Sequence, residues 1–475
     1  MASSGALPPE VHCPSRGQGI PDGVPAVVHN AAIQVSEVRC QDIGNMRNEV
    51  AGHVTAADDR GSAVASASAP PGAPTQPWLT VLTLFSITAM IETIGVSQIA
   101  AFLPLELRAM GLRAAEIPRW VGLLNAVVFV FGLPLVPLWG VLADKYSRKL
   151  VIARSAVVEA LVFGLVALSR HPWELACSLL LAGFQLGNTG VMLATIRDVT
   201  PRERLGTAVA VFGATSPLGF AAGPALGGLL LDHLHTSVAA VYGVSSVLSA
   251  ASAVMLAIGL REVRPPKVPI GSVLTLARGA MRGVFTDGVT RRLFALFGCA
   301  LLARQMSSPF LPLVVERVGG SAGGLASNIA LVVGTAALVG GAVSPVAGAL
   351  GDRVGFRAVL IAALVGAALM FAAIPLAPTV SFLAAANGAA AACGAAVAAM
   401  VFGLLAIEVP PERRSATLNL VYLPLYLAGI AGPAVGALIV ALGLGPVFYA
   451  AALAAGAGAV LETLRPQRRQ VAGRS

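Results

Sequence analysis

The sequence predicts an all-α polytopic membrane protein with twelve transmembrane helices in two pseudo-symmetric six-helix bundles. Three observations carry that prediction. The 475 residues are 56% hydrophobic and only 12% charged, with a mean hydropathy of +0.80, whereas soluble domains are about a quarter charged. The apolar residues gather in stretches of about 20, the length a helix needs to cross ~30 Å of hydrocarbon. Short landmarks of the first half also return in the second at nearly constant spacing, the mark of a repeat architecture.

Taken in order, residues 1–76 form a tail rich in Pro, Gly, Ser and Ala. It has too little apolar surface to fold, so disorder is expected, and it lacks the apolar stretch of a signal peptide. Met46 offers a later start that would leave the apolar region whole. Spans are predicted near 79–104, 121–141, 151–168, 174–196, 206–231 and 238–260, giving an N-terminal bundle over 77–260. A central loop, 261–292, carries seven basic residues. The C-terminal bundle, 293–463, holds spans near 293–315, 325–347, 358–377, 381–406, 416–442 and 445–463, and 464–475 form a short tail.

The net charge of +9 is distributed by side of the membrane. Loops on the side of the termini carry 22 Lys and Arg, counting Arg154 at the start of span 3, against five on the other side. That asymmetry places both termini and the central loop in the cytoplasm of a plasma-membrane protein. No basic face interleaves with aromatics, so nucleic acid is not an expected partner. The five cysteines have no paired spacing, and no metal or cofactor is expected.

The repeat is specific. "FLPL" at 102–105 recurs at 310–313, and Gly140 and Asp144 recur as Gly348 and Asp352, each 208 residues on. Gly223-Pro224 recurs as Gly432-Pro433 after 209, and "VTPRER" ending at Arg204 as "VPPERR" ending at Arg414 after 210. Two homologous six-span halves in parallel register are one known solution for transporters.

Two motifs carry a family resemblance. "GVLADKYSRK" at 140–149, after span 2, resembles the signature loop of the major facilitator superfamily, roughly G-x-L-A-D-R-x-G-R-K. "GFAAGPALGG" at 219–228, in span 5, resembles the motif of its antiporters, especially the twelve-span drug:proton antiporters. The resemblance covers about 78–463. It implies a cytoplasmic latch between the halves, formed by Gly140, Asp144, Lys145, Arg148 and Lys149, with a second copy at Gly348, Asp352, Arg353 and Arg357. Gly140 is expected to let the helix end turn tightly, and Arg148 and Lys149 to hold the Asp144 carboxylate or anionic lipid headgroups. Gly219, Gly223, Gly227 and Gly228 with Pro224 give span 5 a smooth, kinkable face. The chain departs from the family at Ser147, where a glycine is usual, at Phe356, and in span 4. There Ala182 or Gly183 stands where an arginine is usual, with Gln185 and Gly187 retained.

Ionisable residues in mid-membrane are functional candidates, because burying a charge there costs at least ~2.5 kcal/mol. Glu92 in span 1 is the expected proton or cation carboxylate, and Arg304 in span 7, one turn away by the repeat, its counter-charge. Glu159 in span 3 is expected to be structural. Gln98, Gln185, Gln305, Tyr422 and Tyr426 complete the candidate cavity, while Asn188 reads as interhelical glue. The chain has no G-x-x-x-x-G-K-[ST] sequence for a built-in ATPase. It is read as a monomeric secondary active exporter of amphipathic small molecules driven by protons, and not as an enzyme. A dedicated exporter of one metabolite and a non-transporting membrane receptor or scaffold are the alternatives.

Overall fold

The computed structural model describes residues 76–262, 272, 275, 287–319, 324–409 and 423–464. The N-terminal tail before Gln76, most of the central loop, the start of the eleventh span with Tyr422, and the end of the C-tail lie outside the described residues.

Twelve helices are long and apolar enough to cross a membrane. They are α1 (Trp78–Ala109), α2 (Ile117–Lys145), α3 (Arg148–Leu168), α4 (Pro172–Val199), α5 (Arg202–His233) and α6 (Val238–Gly259). The second set is α7 (Gly288–Gly319), α8 (Leu325–Val354), α9 (Phe356–Leu376), α10 (Val380–Glu408), α11 (Leu423–Leu442) and α12 (Leu444–Thr463). Each predicted span coincides with one of them. Where a helix starts at the membrane edge, a short polar side chain takes up a free backbone N–H. Ser147, Ser237, Asp287 and Thr379 do this for α3, α6, α7 and α10. The connections α8–α9 and α11–α12 are single glycines, Gly355 at φ +101° and Gly443 at φ +114°. Only a residue without Cβ takes such angles readily.

Three apolar clusters show how the halves meet. On the tail side, the N-terminal half has its own core, from Val81 and Phe85 through Ile152 and Met192 to Leu256. The C-terminal half has another there, from Leu293 and Phe297 through Leu360 and Met400. On the far side a single core joins both, with Phe102, Leu107, Val121, Phe163 and Tyr242 packed among Phe310, Val314, Ile329, Phe371 and Phe448. The halves are fused at one end of the molecule and separate at the other.

Helices α5 and α11 make the joint. A Cβ on Gly219, Gly223 or Gly227 of α5 would stand 2.0, 2.1 and 2.1 Å from Thr93, Ser97 and Phe102 of α1. The next residue, Gly228, meets Ala326 and Ser327 of α8, in the other half. By the repeat, Gly432 and Gly436 of α11 press on Gln305, Met306 and Phe310 of α7, and Gly429 on Phe129 of α2. Glycines four apart thus bring each crossing pair to backbone contact. The expectation for Gly140 fails. It lies inside α2, five residues before the helix ends, with open space around a would-be Cβ, as has Gly348 in α8. Neither makes a turn.

At Gly223 an added methyl would meet the carbonyl oxygen of Ile94 at 2.4 Å, a backbone atom that cannot swing aside. Gly223→Ala is expected to lower the stability of the purified protein by about 1–3 kcal/mol. Gly213→Ala, on the same helix with nothing within 4 Å, should leave the melting curve unchanged or raise it.

Candidate functional site

Midway through the N-terminal half, α4 is not continuous. Its first segment ends at Leu181, a 3₁₀ turn covers Ala182–Phe184, and Gly187 takes φ +92° before a second segment starts at Asn188. Breaking a helix frees carbonyls that lipid cannot satisfy. Arg154 satisfies two of them: its Nη2 donates to the carbonyls of Gln185 at 3.3 Å and Leu186 at 3.2 Å. The guanidinium also stacks on the Trp139 ring, 3.6 Å from its centroid, an attractive cation–π geometry. Arg154 is therefore part of the helix interior of α3, two turns from the loop where the charge asymmetry counted it.

Glu92 of α1 faces this break. Its Oε2 accepts a hydrogen bond from Asn188 Nδ2 at 2.8 Å, and the same nitrogen donates to Ser155 Oγ of α3 at 2.9 Å. Gln185 approaches the same carboxylate, and the cation whose charge reaches it is Arg154, from beyond the 4 Å of a contact pair. The expected pairing with Arg304 does not occur. Arg304 has an exposed side chain on α7, and among the described residues its guanidinium makes neither an ion pair nor a hydrogen bond. An unpaired guanidinium at this depth is tolerable only against water, so Arg304 lines an open space.

The remaining candidates separate. Gln98 does not face a cavity: it is 1% exposed, donates to the Gly223 carbonyl at 3.3 Å and accepts from Ser245, tying α1 to α5 and α6. Gln305 supports the α7–α11 crossing at Gly432. Tyr426 packs by Phe129 of α2, ring centroids 6.2 Å apart. On the tail side α7 and α11 line an open cleft of about 340 Å³ between Phe294, Gly298, Leu302, Pro424 and Leu427, with Arg291 also on its lining. Its lining is almost wholly apolar.

A model of the Major Facilitator Superfamily matches residues 84–326 and 293–475. The chain belongs to this superfamily. Among curated relatives, multidrug resistance protein MdtG of Enterobacter lignolyticus is 30% identical over 305 residues, 62% of this chain and 69% of the relative. MdtG of Salmonella typhi is 28% identical over 306 residues, 62% and 72%. The nucleoside transporter NupG has the same fold, with a TM-score of 0.67 at 16% identity over 81% of this chain and 98% of that one. A bacterial homologue of the human lysosomal transporter Spinster gives 0.63 at 15%, over 82% and 96%.

The superfamily's signature loop forms a closed clasp. Arg148, 4% exposed, pairs through Nη2 with Asp144 at 3.1 Å and through Nη1 with Asp198 at the end of α4 at 2.8 Å. Ser147, in place of the usual glycine, caps α3 and donates to Glu262, whose other oxygen accepts from the Arg148 backbone N–H at 3.0 Å. Lys149 reaches the Ala257 carbonyl at 2.7 Å. Every described partner of Asp144 and Arg148 lies between residues 144 and 262, so these two residues tie α2, α3, α4 and the segment after α6.

The second copy is built differently. Asp352 and Arg353 are exposed and make no ion pair among the described residues. Arg357 instead pairs with Glu462 of α12 at 3.2 Å, and Arg292 of α7 with Glu408 at the end of α10 at 2.8 Å. Asp198 and Glu408 were missed by sequence reasoning although a signal existed. They directly precede the two repeated segments, 210 residues apart.

Exposure sets the worth of each clasp contact. Asp198→Asn removes the charged acceptor of a buried guanidinium from a site 19% exposed and is expected to cost about 1–3 kcal/mol. Asp144 is 44% exposed, so Asp144→Asn should cost at most about 1 kcal/mol. Thermal unfolding of the two purified variants checks that order.

Proposed function

We propose that this chain is a secondary active efflux transporter that exchanges protons for amphipathic, drug-like compounds by alternating access. The observation that carries the proposal is Glu92, a carboxyl at lipid depth. It is held by Asn188 at a break in α4 and under the field of Arg154, with no salt-bridge partner within 4 Å among the described residues. A structural carboxylate at this depth would be locked in an ion pair. One held by a neutral amide can take up and release a proton as its surroundings change, with burial and the guanidinium acting on it in opposite directions. The similarity to two multidrug resistance proteins supports the substrate class, as does the apolar cleft between α7 and α11.

The separation of the halves supports a two-state cycle. With the basic loops in the cytoplasm, the split cores of the tail side face inward and the fused core faces outward, an inward-facing arrangement. At the outer end Arg108 of α1 pairs with Glu316 of α7 through two bonds of 2.5 and 2.8 Å. The outward-facing state must part these two groups, since α1 and α7 belong to opposite halves.

Glu92→Gln keeps the shape of the side chain and cannot titrate. In proteoliposomes with an imposed pH gradient it is expected to fold and insert normally while losing essentially all proton-driven efflux, and Glu92→Asp to retain part. Normal collapse of the pH gradient by Glu92→Gln during export would place the proton elsewhere. The outer pair is tested by charge exchange. Glu316→Arg should slow transport several-fold by setting two cations face to face, and the double variant Arg108→Glu/Glu316→Arg should recover most of it.

A further inference from the structure

Glu159 is a carboxyl that the reading above leaves without a task. It sits on α3, 2% exposed, one turn beyond Ser155, and its Oε1 has no hydrogen-bond partner. That oxygen lies 3.3 Å from where a Cβ on Gly95 of α1 would stand, and Gly95 is one turn from Glu92 on the same helix. A side chain at Gly95 would collide with Phe163 at 2.3 Å. The glycine therefore allows α3 to bring its carboxyl against α1 beside Glu92.

The groups around this carboxyl and Glu92 come from four helices. From α1 the charged group that acts on it is Glu92. Its own helix contributes Arg154, whose charge acts on Glu92. From α4 comes Asn188, bonded to both Glu92 and Ser155 and carrying no charge. From α6 comes Ser249, fully buried, with Tyr242 two turns farther toward Glu106. Two acids thus share one low-dielectric site with one guanidinium. Arg154 neutralises one carboxylate. A second carboxylate would be a buried charge with a bare oxygen, a costly arrangement. Two like charges in one site also cannot both ionise readily.

We propose that Glu159 is a second proton-holding residue of the transporter: it and Glu92 hold one proton between them, with Arg154 balancing Glu92 while Glu159 keeps the proton. The proposal rests on Glu92 being the exchanging carboxyl. Glu92 is half-buried, whereas Glu159 is sealed inside the N-terminal bundle. One carboxyl gives up a proton as the other takes one up, with no change of redox state, and net charge in the site stays at zero.

The deciding measurement needs no substrate. Infrared spectra of the full-length protein in lipid should show the carbonyl stretch of a buried neutral carboxylic acid at neutral pH. In Glu159→Gln that band should disappear. In Glu92→Gln it should remain and be lost at a pH lower by about one unit or more, because the neighbouring negative charge is gone. A band unchanged in Glu159→Gln overturns the proposal, as does a band whose pH dependence is the same in Glu92→Gln and the parent protein. Glu159→Asp, which keeps the acid but shortens its reach, guards against misfolding: a well-folded variant that also lacks the band supports a precisely placed neutral acid, and one that keeps it with unaltered pH dependence overturns the coupling. Ethidium efflux driven by a pH gradient separates this from the function proposed above. If Glu92→Gln still pumps ethidium while the infrared shift is present, the transport role of Glu92 fails and the carboxyl pair stands. If Glu92→Gln is inactive and the band is insensitive to both substitutions, the pair fails and Glu92 stands alone.

Discussion

A guanidinium at membrane depth must find acceptors, and in this protein the backbone of α4 supplies them. Arg154 could not sit inside the N-terminal bundle if α4 were a regular helix, because every carbonyl would already be engaged within it. Gly187 makes the break possible by adopting a left-handed angle. The carbonyls of Gln185 and Leu186 then hold Arg154, Trp139 covers its face, and the new helix start presents Asn188 to Glu92. One backbone defect organises the cation, the carboxyl and the amide together. The sequence has no arginine in the first turn of the break in α4, and a guanidinium arrives at that helix from α3 instead.

The architecture was legible in the sequence to a degree that the site was not. Span positions follow from apolar length, and the twofold repeat from landmarks such as Gly223-Pro224 and Gly432-Pro433. Both are long-range averages over many residues, and small local errors do not alter them. Arg154 was misplaced because the charge asymmetry assigns any basic residue near a span end to the loop, and six residues into α3 is near enough to mislead. Glu92 stands out in the sequence because an acid in the middle of an apolar stretch is conspicuous. Its partner was not found, because the repeat that aligns Arg304 with Val96 says nothing about which way each helix face is turned. Only packing sets that rotation. Gln98 was misread for the same reason: its side chain points into the α1–α5–α6 contact and away from any cavity.

The tail-side clasp and the glycine crossings serve opposite purposes. Around Arg148 the contacts are charged, directional and confined to one half, so they stiffen the N-terminal bundle as a body. Along Gly223 and Gly227 the contacts are backbone to side chain with no directional bonds beyond those of Ser97 and Gln98. Rigid bundles joined through smooth crossings suit motion of one half against the other, since van der Waals contact between small residues changes gradually as helices slide.

The ion pair between Arg108 and Glu316 has a consequence for the origin of the two halves. Arg108 and Glu316 are 208 residues apart, the spacing of the repeat itself, so each occupies the place of the other under the pseudo-twofold. In a symmetric pair of identical halves that axis would bring an arginine against an arginine, or a glutamate against a glutamate. The present sequence forms an ion pair here because the two copies differ at this position. An N-terminal half expressed alone carries a built-in electrostatic barrier to pairing with its own kind, and the intact chain is committed to joining one half of each type.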